Sequence, residues 1–153
     1  GGFMAVALPQ GESRLHSTRL ENLISGPAIV SRARAALALH PKSVLHDVED
    51  LSIEQIADAA RAGDTAAIQI WQETGRYLGL AAVNMAHLLL LDRIVVGGGV
   101  SHAWDLFSDS TREIFRKLAA PPVAECELVV SRLQENAGIL GAALGAAGKS
   151  AKE

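Results

Sequence analysis

The sequence predicts an α/β fold in which a short parallel sheet is flanked by helices. A β-branched apolar run at residues 94–96 ends in three consecutive glycines. A long helical pattern precedes this run and another follows it, and a second apolar run comes at residues 126–131. Strands that alternate with helices form parallel sheets, and their crossover connections are right-handed.

Composition restricts the class of protein. The 153 residues suffice for one domain or for one lobe of a larger protein. The mixed charges, with a formal net charge of −3, form no basic stripe, so no nucleic-acid partner is expected. The single cysteine, Cys126, excludes a disulfide within the chain and is interpreted as a small buried hydrophobe at a strand start. The longest apolar run, residues 78–91, is too short to span a bilayer, which predicts a cytoplasmic protein without a membrane partner.

The beginning of the chain has the pattern of a strand. Residues 1–8 form an apolar run in which the first Met is Met4, so we expect the chain to be part of a longer protein. The polar residues 9–18 predict a loop or a hairpin return. Residues 20–24 then predict a short helical turn.

A helix is predicted after this turn. Ser25 or Gly26 is the expected N-cap, and Pro27 suits the first helical position. Arg32 and Arg34 are assigned to the solvated face of this helix.

Two further helices have clear boundary signals. Ser52 and Gln55 form a capping-box pattern, and Gly63 ends that helix in the manner of a C′ residue. Asp64 is the expected cap of the longest helix, which runs over residues 65–90.

The longest helix is predicted to pack on two sides. Gly75 and Gly79 are four residues apart, so they share a face that another backbone can approach closely. After Leu80 the helix is apolar on nearly every side, which predicts a buried segment. Asn84 and His87 are interpreted there as satisfied core or interface polar groups.

The second half of the chain follows the order strand, glycine turn, helix, strand, helix. Residues 94–96 are uniformly apolar, which predicts a central parallel strand buried on both faces. A helix is expected to begin at Ser101 or His102, and residues 126–131 form the second strand. Residues 137–147 predict a last helix.

The three glycines allow two interpretations. They form either a tight turn between strand and helix or a surface that lets a ligand approach the backbone. A dinucleotide fingerprint that starts at Gly97 fails, because His102 takes the place of its last glycine and Lys117 stands where a ribose-binding acid is expected. A P-loop fails as well, because no Lys-Ser or Lys-Thr pair follows Gly99.

Three segments together resemble the ROK family (repressor, open reading frame, kinase). Residues 20–28 read Leu-Glu-Asn-Leu-Ile-Ser-Gly-Pro-Ala, residues 92–100 read Asp-Arg-Ile-Val-Val-Gly-Gly-Gly-Val, and residues 131–143 read Ser-Arg-Leu-Gln-Glu-Asn-Ala-Gly-Ile-Leu-Gly-Ala-Ala. Each is similar to a family segment, and they occur in the family's order. Within the family, the chain most resembles a glucokinase-like protein that lacks the zinc motif of many members.

The resemblance implies a fold and an activity. The chain is expected to be the helix-rich C-terminal lobe of the actin-like/hexokinase-like ATPase (ribonuclease H-like) fold, over residues 1–148, with a polar tail at 149–153. Family members are ATP-dependent sugar kinases or sugar-responsive repressors. The expected partners are therefore a sugar substrate, ATP with Mg²⁺, the missing N-terminal lobe, and a second copy in a homodimer.

The resemblance also assigns site residues. Gly97, Gly98, Gly99 and Val100 would line the adenosine side of the nucleotide site. Glu21 matches a family glutamate that hydrogen-bonds sugar hydroxyls. The alternative for Glu21 is an exposed carboxylate that the helix dipole favours at a helix start.

Departures from the family limit the mechanism. Residues 12–19 contain no cysteine, although many members carry a zinc motif there, so no zinc is expected. The sugar-binding Glu-x-Gly-His motif would fall at or before Gly1 and Gly2, and the phosphate loop and catalytic Asp are not in this sequence. No catalytic residue is therefore assigned, and the chain alone is expected to be inactive although its parent protein would be a sugar kinase. The alternative is the ligand-sensing lobe of a ROK repressor.

Overall fold

The computed structural model describes residues 5–10 and 14–131. Its strands and α-helices are, in chain order, β1 (Ala5–Gln10), β2 (Arg14–Arg19), α1 (Glu21–Ile24), α2 (Gly26–Leu37), α3 (Ile53–Arg61), α4 (Thr65–Leu89), β3 (Arg93–Val96), α5 (Trp104–Leu118) and β4 (Glu127–Val130). Short 3-10 helices lie at Val44–Asp47, Gly99–Ala103 and Val123–Glu125. The expected last helix and polar tail lie outside the described residues.

The N-terminal strands form an antiparallel hairpin. Ala5 pairs with Arg19, and the ladder continues to the pair of Gln10 and Arg14. The hairpin return predicted for residues 9–18 is confirmed, and both strands of the hairpin extend into that range. The polar composition of β2 concealed the strand, because a ladder is made by backbone groups that every residue carries.

The predicted helix caps are confirmed. The Ser25 hydroxyl accepts a hydrogen bond from the Ala28 N–H, and Pro27 takes the second helical position. Ser52 and Gln55 form both hydrogen bonds of a capping box. At the start of α4, a carboxylate oxygen of Asp64 accepts the Ala67 N–H at 2.9 Å. Each cap satisfies a backbone donor that the helix itself cannot pair.

Helices α4 and α5 pack closely at two glycines. A Cβ atom built on Gly75 would overlap the Ser110 hydroxyl and lie 2.5 Å from the Phe107 carbonyl oxygen. A Cβ built on Gly79 would lie 2.6 Å from the Thr111 carbonyl oxygen. The prediction that another backbone packs on this face of α4 is therefore confirmed.

An aromatic cluster fills the core beside this contact. Trp71 of α4 stacks on Phe107 of α5 with ring centroids 5.6 Å apart, and both side chains are fully buried. Trp104 contacts the same Phe107 edge-on. Ile29 and Ile56 complete the cluster from α2 and α3, so one core joins four helices.

Among the described residues, β3 and β4 form a two-stranded parallel sheet, with Ile94 opposite Leu128. The predicted parallel pairing is confirmed, and so is the burial of Cys126 just before β4. The prediction that residues 94–96 are buried on both faces is wrong, because Val95 is 60% exposed. Ile94 packs against both α4 and α5, and no described element covers the face that carries Val95.

The end of α4 also differs from expectation. Leu88, Leu89 and Leu90 are exposed, so the helix is not buried on every side after Leu80. The core against the sheet uses α4 only as far as Ala86. Asn84 is exposed, whereas His87 makes the expected polar contact, accepting the Ala120 N–H at Nε2. No described helix is long and apolar enough to cross a bilayer.

The assignment of Arg32 to a solvated face is wrong. Its guanidinium donates to Glu73 at 3.0 Å and to the Thr74 hydroxyl, and it lies 5.3 Å from the centroid of the Tyr77 ring. Burial lowers the pKa of Arg32, and the charge of Glu73 opposes this shift. Arg32 therefore connects α2 to α4, whereas Arg34 is exposed as predicted.

Candidate functional site

The turn after β3 has a backbone that requires glycine at one position. Gly98 has φ +91° and ψ 173°, a conformation that residues with a Cβ rarely adopt. Its carbonyl oxygen accepts hydrogen bonds from both the N–H and the hydroxyl of Ser101. These bonds close the 3-10 turn that leads into α5.

The backbone conformation does not require glycine at the other two positions of the turn. A Cβ built on Gly97 would make an ordinary contact of 3.5 Å with the Ser131 Cβ. A Cβ built on Gly99 would meet no atom of the described residues within 4 Å, and the φ of Gly99 lies outside the positive range. The packing of residues 5–10 and 14–131 therefore does not explain a glycine at position 99, and these residues leave the space beside it open.

An apolar cavity of about 400 Å³ lies on one side of the turn. It follows β3 from Ile94 to the glycines and is bounded by α4 and by α1. Its main apolar lining comes from Leu20, Ile24, Leu78, Met85, Val95 and Phe107.

A second cavity, of about 280 Å³, opens on the other side of the turn at Gly99 and Val100. Its apolar lining is buried or half-buried and its charged lining is exposed. The apolar group is Ile53, Ala57, Val100 and Ala103, and the polar group is Glu54, Asp58, Arg61 and His102. We call this the polar-rimmed cavity. An apolar floor with a few polar groups at the edge is the usual lining of a small-molecule site.

Charged contacts hold the polar-rimmed cavity together. Arg61 of α3 donates two hydrogen bonds to the Asp105 carboxylate of α5, at 2.9 and 3.0 Å. Hydrogen bonding to Arg61 lowers the pKa of Asp105. A backbone N–H at the start of α3, followed by the Ser52 hydroxyl, lowers the pKa of Glu54. Both carboxyl groups are therefore charged at neutral pH.

Sequence reasoning missed the contribution of α3 to this cavity. The capping box identified the helix, but no local pattern connects residues 53–61 with a turn some forty positions later. The signal lies only in the tertiary packing of α3 beside α5, which the exposed Arg61–Asp105 pair connects.

Glu21 lies at the first position of α1 and is exposed. Its neighbours Leu20 and Ile24 line the apolar cavity together with the glycine turn. The structure thus brings the helix of Glu21 and the turn to one cavity, but the Glu21 carboxylate is not among the groups that line it. Within the described residues, no three His, Cys, Asp or Glu side chains are arranged to hold a metal ion.

Solved structures that superpose on the chain show that it has the actin-like/hexokinase-like fold. The ROK family model matches residues 17–148, and the chain belongs to the ROK family. This confirms the family and the fold class that the three sequence segments indicated.

Named relatives include both kinases and a repressor. The chain is 33% identical to a glucokinase of Halalkalibacterium halodurans, over 80% of this chain and 38% of that protein. It is 29% identical to the DNA-binding transcriptional repressor Mlc of Escherichia coli, over 82% of this chain and 31% of that protein. The solved ROK family glucokinase of Streptomyces griseus, in complex with glucose and AMPPNP, superposes with a TM-score of 0.71 at 29% identity, covering 81% of this chain and 43% of that one.

Each comparison covers about four fifths of this chain but less than half of the other protein. The chain spans about two fifths of the length of the glucokinases that it matches. The region that the ROK family model matches, residues 17–148, contains the glycine turn and Glu21.

Proposed function

We propose that this chain is part of an ATP-dependent sugar kinase and supplies the adenosine side of its nucleotide site. The observation that carries this proposal is the open space at Gly99 in a turn between a parallel strand and a helix. In open α/β sheets, ligands bind at the carboxyl ends of the strands. Relatives named as glucokinases match the chain over this turn.

The polar-rimmed cavity is the better of the two cavities for the adenosine. A nucleobase needs flat apolar contact and a few hydrogen-bonding groups, and this lining combines Val100 and Ala57 with Glu54 and His102. The backbone of Gly97, Gly98 and Gly99 would contact the ribose side, where side chains would block the approach.

Glu21 is proposed to bind the sugar. An ionised carboxylate accepts hydrogen bonds from two hydroxyl groups, which suits a hexose or an N-acetylhexosamine. Glu21 is exposed and its helix borders the same cavity as the glycine turn. A sugar bound at Glu21 would lie on the apolar-cavity side of the glycine turn, and the adenosine would lie on its other side.

Phosphoryl transfer also needs groups that are not assigned in this chain. The transfer requires a base at the sugar hydroxyl, Mg²⁺ at the phosphates and a cradle for the phosphate oxygens. The remainder of the protein would supply them. ATP and Mg²⁺ are thus proposed for the complete protein, which is expected to be a homodimer without a structural zinc.

Calorimetry with the chain and ATP tests the nucleotide site. We expect binding that is lost in Gly99→Val, because the Cβ of a valine would occupy this space without meeting any atom of residues 5–10 or 14–131 within 4 Å. Ala35→Val is the matched control, since Ala35 is exposed on α2. Loss of binding in both variants, or no binding to the unmodified chain, would contradict the adenosine site.

Steady-state kinetics of the complete protein tests the sugar contact. Glu21→Gln should raise the KM for the sugar about tenfold or more, because a charge-assisted hydrogen bond contributes roughly 1.5–3 kcal/mol. Glu113→Gln, an exposed change on α5, is the control and should leave the KM unchanged. An unchanged KM in Glu21→Gln would favour the helix-start role of Glu21.

A second candidate is the ligand-sensing lobe of a repressor. The similarity to Mlc favours it, because the same region of the chain matches a DNA-binding protein. The complete protein would then bind the sugar and change its affinity for DNA without forming ADP. Measurement of ADP formation and of sugar-dependent DNA binding with one preparation separates the two candidates.

A further inference from the structure

Arg32 connects α2 to the part of α4 that lines the apolar cavity. Its guanidinium donates hydrogen bonds to the Glu73 carboxylate and to the Thr74 hydroxyl, and Thr74 is one of the residues that line the cavity. The Thr74 hydroxyl in turn donates to the Ile70 carbonyl oxygen at 2.8 Å, which fixes the rotamer of the threonine on α4. The two hydrogen bonds therefore give the Arg32 side chain one defined position against α4.

The guanidinium also contacts the aromatic ring on which α1 packs. It lies over the Tyr77 ring, 5.3 Å from the ring centroid. Tyr77 packs against the apolar cluster that Leu20 and Leu23 form with Ala81. The tyrosine thus contacts the cation and the apolar side of α1 at the same time, so Arg32 restrains the surface that receives α1.

Helix α1 depends on tertiary contacts for its position. It is a single turn of 4 residues, and a helix of that length has almost no stability of its own. The side chain of its N-cap residue, Leu20, makes no capping hydrogen bond. Only Ser25 separates α1 from α2, so the two helices move together. Because Glu21 is the first residue of α1, the contacts of this helix decide where the Glu21 carboxylate lies.

Stability alone does not account for an arginine at position 32. The side chain is 19% exposed, and its Nε–H is buried without a hydrogen-bond partner among the described residues. A buried donor without a partner lowers stability, and a well-packed apolar side chain often replaces a buried ion pair without loss. What a guanidinium adds is orientation, because its hydrogen bonds lie in one plane and that plane can lie on an aromatic ring.

We propose that Arg32 is a positioning residue for sugar binding, which acts through Tyr77 and α1 on the Glu21 carboxylate. The proposal rests on the sugar contact of Glu21 under the proposed function. Arg32 is not among the residues that line the apolar cavity, so it acts without touching the sugar. A carboxylate that is held in place before the sugar arrives loses less conformational freedom on binding, which raises the affinity.

A double-mutant cycle tests the connection between Arg32 and Glu21. The affinity of the complete protein for glucose is measured by calorimetry in the unmodified protein, Arg32→Lys, Glu21→Ala and the double variant. Arg32→Lys should raise the Kd about tenfold, because lysine keeps the charge but has no planar group for the ring and the two acceptors. In the Glu21→Ala background the same change should raise the Kd less than about twofold, because the carboxylate on which it acts is gone. Arg34→Lys, an exposed change on the same helix, is the matched control and should leave the Kd unchanged.

Hydrogen exchange of the complete protein measures the restraint of α1 without any sugar. The N–H groups of Ile24 and Ser25 donate to carbonyl oxygens at the start of α1. Arg32→Lys should make these two amides exchange about tenfold faster, because α1 opens locally when the tyrosine ring loses its contact with the guanidinium. The Ala62 amide at the end of α3 is the internal control, and its exchange should be unchanged.

Three results would overturn the proposal. One is a Kd for glucose that Arg32→Lys leaves unchanged, and another is an effect of Arg32→Lys that persists undiminished in the Glu21→Ala background. The third is equal acceleration of exchange at Ile24 and Ala62, which would indicate a general loss of stability. Unchanged glucose binding in Glu21→Ala would reject the sugar contact itself, and the exchange of α1 in Arg32→Lys then shows separately whether Arg32 restrains this helix.

Discussion

Gly75→Ala should destabilise the protein although alanine is the better helix former. The new Cβ would lie 2.5 Å from the Phe107 carbonyl oxygen, where ordinary contacts begin at 3.4 Å, so α4 and α5 must separate by about 1 Å. Overpacking of this kind costs up to about 3 kcal/mol, and the backbone oxygen has no rotamer by which to yield. Helix propensity returns about 1 kcal/mol. The expected net loss is about 2 kcal/mol.

Thermal unfolding followed by circular dichroism measures this loss as a decrease in Tm of about 4–8 °C. Gly26→Ala is the control, because its Cβ would lie 3.8 Å from Ile53 and would change the stability by less than about 0.5 kcal/mol. A Gly75→Ala variant as stable as the unmodified protein would refute the close α4–α5 contact, since propensity alone predicts stabilisation.

Other substitutions test the caps and the buried arginine. Ser52→Ala should lower the free energy of unfolding by about 1 kcal/mol in urea titrations, because it removes the capping box of α3; an unchanged midpoint would contradict that role. Burial raises the pKa of Asp64, but hydrogen bonds led by that from Ala67 outweigh it and leave the pKa below its ordinary value. The stabilisation by Asp64 is therefore complete above the unfolded-state pKa near 4 and is lost as the pH falls through the lower folded-state pKa. Asp64→Asn should reduce the loss of Tm on acidification, and identical acid profiles would contradict the shift. Arg32→Lys should lower the free energy of unfolding by about 1 kcal/mol, because an ammonium does not reproduce both contacts of the guanidinium. An unchanged free energy of unfolding would indicate that Arg32 is solvated and that these contacts do not contribute.

The elements that the sequence predicted best have their signals within a few residues. Three predictions of this kind are confirmed. They are the capping box of Ser52 and Gln55, the cap by Asp64, and the strand before Gly97. The glycine spacing of α4 predicted a close contact for the same reason, because four residues return to one helix face.

The wrong predictions concern burial, which depends on the tertiary neighbours of a residue and not on its local sequence. Arg32 has the composition of a surface residue, and only the position of Glu73 and Thr74 on another helix brings it inside. Val95 has the composition of a core residue and is exposed. The sequence also did not predict that α3 lines the polar-rimmed cavity, because no local pattern specifies a distant neighbour.

The aromatic cluster has a practical consequence for measurements in solution. The sequence contains two tryptophans, and both contact Phe107, which lines the apolar cavity beside the glycine turn. Trp71 is fully buried and stacks on this ring, so its emission should respond when the packing of Phe107 changes. The protein therefore carries an intrinsic fluorophore pair beside the apolar cavity, so the occupancy of that cavity can be followed without an added label.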